Sequence, residues 1–357
     1  MVKLIDVAQA AGVSVTTASM VLNPGKQVCR VRPECADRIR LAAKKLGYVG
    51  NYHARAMQLG RAETIGMAID VGRAGHAEPW IAAMGGPYFS TLAGGVETHT
   101  HFKGYNLALI GPGINENAAD RGLKQIQQRR LDALVVAAVL PSVAGSRLIT
   151  EQPKAPVVLM EYEGTTQLPN VTYGEAEGVQ KAVKYLAEFG HKEIVWLGPD
   201  TRLGNQREQM FIRAAWDCGL RGASCRFEQT RHTVRAEDPV ADASEAALAR
   251  YLTQKPAFTA VLGYNDSCAI GAYGALMRAG LRIPQDVSVI GFDDVFASHV
   301  FPRLTTISHM LHEMGLRAAE LATEISASAE AIEQRRGYRD VIIPDLIIRD
   351  SAGPARS

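Results

Sequence analysis

The chain contains no Cys-x-x-Cys pair, and its five cysteines (Cys29, Cys35, Cys218, Cys225, Cys268) are odd in number and scattered. Neither a disulfide frame nor a zinc site is built that way, so they read as reduced thiols of a cytoplasmic protein. There is no charged-then-apolar leader and no apolar run long enough for a membrane span, which argues against export and against a membrane partner. A Gly-x-Ser-x-Gly elbow and a Walker-type phosphate loop are missing too, and no cofactor is expected. Aromatic residues are few, at 6%, within 47% hydrophobic residues overall, the composition of an ordinary globular protein. With 357 residues there is room for two or three domains of about 100–200 residues each.

Net charge is also small, at +2, but it is unevenly spread. Up to Gly60, nine basic residues (Lys3, Lys26, Arg30, Arg32, Arg38, Arg40, Lys44, Lys45, Arg55) face only Asp6, Glu34 and Asp37. That head carries a surplus of six positive charges, and the remainder of the chain is mildly acidic. A basic head on an acidic body implies a polyanionic partner, although a solvated charged face would give the same count.

Within the head, Leu4 to Ala11 has helical spacing, and Gly12 breaks it in a short turn. Ser14 is a natural N-cap for a second helix reaching about Leu22. On that helix Ala18, Val21 and Leu22 form an inward stripe, and Val15, Thr16, Ser19, Met20 and Asn23 lie opposite. A merely solvated face would carry long charged pairs. Small hydroxyls and short apolar groups instead suit a DNA major groove, where they reach base edges and thymine methyls. A third helix runs from about Pro33 to Leu46, with Gly47 past its end and Ala36, Ile39, Ala43 and Leu46 as its buried seam. Lys44 and Lys45 at its C-terminal end are placed to hold phosphate. The pattern is a helix-turn-helix with a supporting helix; a three-helix cap on an enzyme would share this layout.

The body alternates apolar runs with helical patterns. Strands are expected at 64–70, 106–110, 133–138, 157–161, 193–197, 225–229, 260–262 and 287–290, with helices between them, then a strand at 304–308, a helix at 309–325 and a strand at 341–348. Two such βα series predict an α/β body of two doubly wound parallel-sheet lobes with a ligand cleft between them. Cleft candidates at strand ends are Asp293, able to accept two hydroxyl hydrogens, Arg207, able to donate to ring oxygens, and Asn265 and Asp266; Phe89 offers a flat apolar face. Bland readings stay open beside these. Asp266 is also placed to cap a helix, Phe89 to join the core, and Arg207 with Asp293 to form an ordinary ion pair. His309 and His312, three apart in the expected helix, lack the His-Glu-x-x-His order of zinc proteases and read as surface or dimer-face residues, not as a metal site.

Leu4-Ile5-Asp6-Val7-Ala8, Ala11-Gly12-Val13-Ser14, Leu22-Asn23 and Leu46-Gly47-Tyr48, continuing through Asn51, Ala54-Arg55 and Thr64-Ile65-Gly66, resemble the lactose/galactose repressor family of bacterial transcriptional regulators. The resemblance resumes in Gly190-His191-Lys192, Asn265-Asp266, Pro284 to Asp294, Pro302 to Thr306 and Arg349-Asp350-Ser351. It implies an all-α helix-turn-helix head and a body of periplasmic-binding-protein-like type. It places Val15, Thr16 and Met20 at base-reading positions and Leu4, Thr17, Ser19, Asn23, Tyr48 and Asn51 against phosphates. Ala54 and Met57 fall in a hinge helix that wedges the minor groove, and Phe89, Arg207 and Asp293, with Asn265 and Asp266 nearby, fall at effector contacts.

Several positions depart from the family pattern. Met20 stands where relatives carry Arg or His, Arg32 and Cys35 replace hydroxyl residues, and Asn23 to Val31 is longer than usual. Tyr173-Gly174 replaces an Asp-Asn-type pair, and Val71 to Gly86 is an insertion that suits a lid or an idle loop. The domains expected are the head at 1–49, a hinge at 50–61, a two-lobed effector and dimerisation domain at 62–350 and a tail at 351–357. Lobe one is expected at 62–168 with 300–328, and lobe two at 169–299 with 329–350. No leucine heptads follow, so a tetramer-forming tail is not expected. The reading is a cytoplasmic regulator, most simply a repressor, that binds pseudo-palindromic double-stranded operator DNA as a homodimer under control of a sugar-like effector. A sugar-binding receptor, which needs a leader and no head, and an α/β enzyme, which needs a reactive constellation, are the rivals.

Overall fold

The structure is a computed structural model, and it describes residues 2–22, 31–50, 55–56, 59–69, 86–113, 116–137, 154–162, 164–227 and 239–356. The sites expected at Asn23, Asn51, Ala54 and Met57, and the insertion at 71–85, lie outside the described residues.

The head consists of α1 (Leu4–Ala10), α2 (Val15–Leu22) and α3 (Pro33–Leu46). Gly12 takes a left-handed φ of 61°, which a glycine adopts without strain, and the chain turns by 105° between α1 and α2. Ser14 caps α2 as its sequence position suggests, accepting the Thr17 N–H at 3.1 Å. The Arg38 Nε on α3 donates to the Ala11 carbonyl at 2.8 Å and so ties the turn to the third helix. Val7, Ala8, Ala11, Ala18, Ile39, Ala42 and Ala43 close a small core. Leu46, expected in the seam, is 39% exposed, because that core ends a turn earlier at Ala42 and Ala43. Gly47 ends α3 in a left-handed conformation, its N–H on the Lys44 carbonyl.

Among the described residues the body holds two six-stranded sheets. Sheet one contains β1 (Thr64–Ile69), β2 (Asn106–Ile110), β3 (Ala133–Ala137), β4 (Val157–Met160), β5 (Asn170–Tyr173) and β11 (Arg339–Ile342), in the order β11-β5-β4-β3-β1-β2 and parallel throughout. Sheet two contains β6 (Glu193–Pro199), β7 (Arg221–Phe227), β8 (Ala260–Gly263), β9 (Ser288–Asp293), β10 (Thr305–Ser308) and β12 (Asp345–Ile347), in the order β12-β10-β9-β8-β6-β7, with only β12 antiparallel. β1, β3, β4 and β8 are buried at every residue, as strands covered on both faces must be. The covers are α4 (Pro87–Lys103) and α10 (Leu311–Ile325) on one face of sheet one and α5 (Ala118–Gln127) on the other. On sheet two, α6 (Glu175–Glu188) and α7 (Arg202–Asp217) oppose α8 (Pro239–Leu252) and α9 (Asp266–Arg278). α4 and α10 touch backbone to backbone. A Cβ on Gly95 would lie 2.0 Å from the His312 carbonyl oxygen, and one on Gly315 would lie 2.1 Å from that of Leu92.

Lobe membership differs from the sequence reading at three places. β5, expected to open lobe two, pairs with β4 in sheet one; β10, expected in lobe one, pairs with β9 in sheet two; and β11 returns to sheet one before β12 closes sheet two. The single strand expected at 341–348 is therefore two short ones. Apolar runs identify strands but not their partners, so the crossovers at Gly174, His309 and Ile343 are not visible in composition. The strand expected at 225–229 begins earlier, at Arg221, on a sheet edge with alternate exposure.

Candidate functional site

Each region presents one unusual surface. On α2, Ala18 is fully buried while Val15 and Met20 stand 43% and 48% exposed, with Thr16 exposed between them. Large apolar side chains facing outward on so short a helix contribute nothing to the head's core. Thr17 is half-buried, its hydroxyl 2.8 Å from that of Ser14, and Ser19, Leu4 and Tyr48 are half-buried at the margin of the core. Lys44 and Lys45 are exposed at the α3 C-terminus. Gly60, at φ 69°, donates its N–H to the Ala56 carbonyl at 2.9 Å, and Arg55 pairs with Glu63 at 2.8 Å.

The second surface forms where the carboxyl ends of strands from both sheets meet, the position at which open α/β sheets bind ligands. Arg207, on α7, is 4% exposed. Its Nε donates to Glu175 at the start of α6, its Nη1 to the Tyr264 carbonyl just past β8, and its Nη2 to the Tyr173 hydroxyl at 3.3 Å. The guanidinium lies 4.0 Å from the Phe292 ring centre and 4.5 Å from that of Tyr264. Burial works against its charge, but Glu175 and then Tyr173 more than offset this, and its pKa stands well above the usual arginine value. From sheet one come Tyr173 at the end of β5, Glu161 just past β4, and Tyr88 on α4, whose hydroxyl donates to Glu161.

Asp293 ends β9 with a φ of 106°, and Glu161 has a φ of 60°. Non-glycine residues held there mark strain that the surrounding structure must sustain, a feature that clusters at functional sites. Burial raises the Asp293 pKa well above the ordinary value; Arg207 opposes this, and Asp266 and Glu161 add to it. His309, in the crossover between β10 and α10, is 1% exposed, and burial followed by the nearby Arg207 lowers its pKa well below the usual value. Its ring stacks on Tyr173 at 4.0 Å and 21°.

Of the five effector candidates, Arg207 and Asp293 meet in this cluster. Phe89 is half-buried beside it, packed on the sheet-one core with its ring 5.3 Å from that of Tyr88. The side chains of Asn265 and Asp266 also have partners within the protein. The Asn265 side chain caps α9 by accepting the Cys268 N–H at 2.9 Å. Asp266 is fully buried, and its carboxylate accepts from the Val295 and Phe296 N–H groups and the Thr306 hydroxyl, at 2.8, 3.2 and 2.6 Å. It pins the loop that follows Asp293, and its pKa is raised by burial to about 6. His309 and His312 do not share a helix face: Met310, at φ 55°, separates His309 from α10, and His312 lies 3.1 Å from the Thr98 hydroxyl.

Sequence reasoning missed Tyr88, Glu161, Glu175, Tyr264, Phe292 and His309 as members of the cluster. The available signal was position, since Glu161, Tyr264 and Phe292 each stand at the carboxyl end of an apolar run.

Comparison with known proteins covers both regions of the chain. Residues 3–51 match the model described as bacterial regulatory proteins, lacI family, and residues 183–352 match a periplasmic binding protein-like domain. The transcriptional regulator GalR of Salmonella typhimurium is 30% identical over 352 residues, covering 97% of this chain and 94% of GalR. The transcriptional repressor PurR of Haemophilus influenzae is 29% identical over 353 residues, with 97% of each chain covered. The lac repressor dimer bound to operator and the anti-inducer ONPF superposes with a TM-score of 0.76 at 20% identity, over 99% of both chains, which establishes the shared fold. With a helix-turn-helix head joined to a two-sheet periplasmic-binding-protein-like body, the chain belongs to the lacI family of bacterial regulatory proteins.

Proposed function

We propose that this protein is a cytoplasmic transcriptional repressor that binds a pseudo-palindromic operator as a homodimer and releases or tightens its grip when a sugar-like effector enters the cleft between the two sheets. The outward face of α2 carries this reading. Val15, Thr16 and Met20 are exposed on a helix that is fixed by Ser14, Gly12 and Arg38, and this short, uncharged surface fits a major groove. Thr17, Ser19, Leu4, Tyr48 and the two terminal lysines of α3 lie around it as phosphate contacts; Asn23 and Asn51 take the same role from the sequence, and Ala54 and Met57 that of a minor-groove wedge. In the cleft, Phe89, Arg207 and Asp293 contact the effector with Asn265 and Asp266 beside them, and the last two also hold the neighbouring loops. Among its described residues the cluster gathers binding groups without an activated nucleophile, which favours ligand occupancy rather than turnover as its output.

Selection from a random duplex pool with the full chain tests the reading. The expected product is a two-fold site with half-sites about one helical turn apart, about 10 bp. Failure to enrich any duplex over competitor at moderate salt would overturn it.

A further inference from the structure

The chemistry of the cleft narrows the effector to one class of molecule, an inference that rests on the cleft being an effector site. Tyr173 covers one face of the His309 ring, Phe292 approaches at 4.6 Å and 67°, and the Tyr88 ring meets it edge-on at 6.1 Å and 87°. Carbon therefore packs around the ring, and its polarity is confined to the rim. Both rim nitrogens are buried without a hydrogen-bond partner among the described residues. Asp293 Oδ1 stands 3.6 Å from Nδ1, beyond hydrogen-bond reach. Native proteins seldom leave such groups unsatisfied, so each exception calls for a partner from outside the chain or a functional role.

The imidazole is neutral, because burial and the adjacent guanidinium both disfavour its charged form. It thus offers one N–H donor and one lone pair, and demands an acceptor for the first and a donor for the second. A hydroxyl meets either demand. The cleft's ionisable groups add a second restriction. Among the described residues of the cluster, the carboxyl groups of Glu161, Glu175 and Asp293 stand against the single guanidinium of Arg207, which Glu175 already holds. A phosphate or carboxylate on the ligand would be stripped of water beside two further acids and find its natural partner occupied.

We propose that the effector is an uncharged, hydroxyl-rich molecule that hydrogen-bonds the rim nitrogens of His309, and that this cleft rejects phosphorylated and carboxylated versions of the same molecule. Its hydroxyls donate to Asp293 and Glu161 and accept from Arg207 and Tyr173. Because His309 and Tyr173 sit on two of the three crossovers between the sheets, a ligand bonded to this pair bears directly on how the lobes meet.

The test is a thermal-shift and calorimetric panel on the full chain. It uses neutral pentoses, hexoses, disaccharides and cyclitols, each beside its phosphate ester and its acid derivative. At least one neutral compound is expected to raise Tm, and its anionic derivatives to bind at least about tenfold more weakly. His309→Phe keeps a stacking ring and removes both nitrogens. Without ligand its Tm should match or exceed that of the parent, while affinity for the neutral compound falls about tenfold or more; His309→Gln, which restores a donor and an acceptor, should recover most of that loss. A purely structural His309 would lower the unliganded Tm instead. An anionic derivative that binds as well as its parent, a neutral panel without a single binder, or a His309→Phe chain with unchanged affinity each overturns the proposal. Binding that survives Arg207→Met intact would remove the effector reading of the cleft as well. Operator preference, measured on the same unliganded preparation, reports on the DNA reading alone.

Discussion

The head and the body solve opposite problems with their polar groups. The head buries seven small or medium apolar residues and leaves its charges and hydroxyls in water, with Val15 and Met20 turned outward as well. The body buries ionisable groups: Arg207, Glu161, Asp266 and His309 are each less than a tenth exposed. Its two lobes offset this with four apolar clusters around two sheets. A surface that must dock on DNA can be built on a minimal core, since the partner supplies the remaining contacts. A cleft that must recognise a small molecule needs desolvated polar groups, and only a large rigid frame can hold those in place.

The sharpest way to break this contrast is Arg207→Met. It leaves Glu175 buried without its cation and removes the donor to the Tyr264 carbonyl. Loss of one partner of a buried pair costs about 3–5 kcal/mol. Denaturant unfolding should show that loss in the body, while the unliganded chain keeps its operator preference in a gel shift. Loss of DNA preference with an unperturbed body would reverse the comparison. Ile39→Ala is the counterpart. Ile39 is the largest fully buried side chain among the described head residues, and its truncation costs about 2–4 kcal/mol. A domain of this size has little more than that to lose. DNA binding should vanish while the body's melting transition and effector affinity stay put.

Legibility in the sequence divides the molecule along the same line. In the head the determinants that sequence reasoning found are local: Ser14 caps the helix three residues on, Gly12 makes the turn, Gly47 ends α3, and the exposed face of α2 follows from spacing alone. In the body the strands and helices were legible from apolar periodicity, and the two-lobed outline from their alternation. The cleft was legible only in part. Arg207 and Asp293 were found, but Glu175 lies 32 residues from Arg207 along the chain, and Tyr264 lies 57 away. Their meeting depends on which sheet each strand joins, which no local pattern encodes. His309 was read as a surface residue because a helix-period count placed it on α10; the left-handed Met310 ends that count one residue too late to be seen. Asp266 illustrates the converse, a polar residue at a strand end whose hydrogen bonds go to the loop beside it.

Asp266 also gives the comparison a pH readout. Burial raises its folded pKa from the ordinary 3.8 to about 6, so the folded state holds this proton more tightly than the unfolded chain does. Its contribution therefore favours folding at pH 4 and below, is lost as pH rises toward 6, and is constant beyond. A shift of about two units corresponds to about 3 kcal/mol across that window. Asp266→Asn should lack it, so the stability difference between parent and variant should drift by about that amount between pH 4 and pH 7. Parallel curves would mean that the carboxyl is solvated and the body's buried polarity is overstated.

The smallest expected effects separate two kinds of contact within the head. Lys44 lies exposed at the end of α3, so Lys44→Ala should change folding stability by less than about 0.5 kcal/mol. If it holds a phosphate, the variant binds all duplexes more weakly, and the slope of log affinity against log salt falls by about one while base preference is unchanged. Met20→Ala should do the reverse. A side chain with no charge cannot alter counterion release, so the salt slope holds and the penalty, about 1–3 kcal/mol, falls on one position of the selected site. If Met20→Ala weakened every sequence equally, the outward face of α2 would be a positioning surface rather than a reading one. The specificity of the head would then have to come from DNA shape.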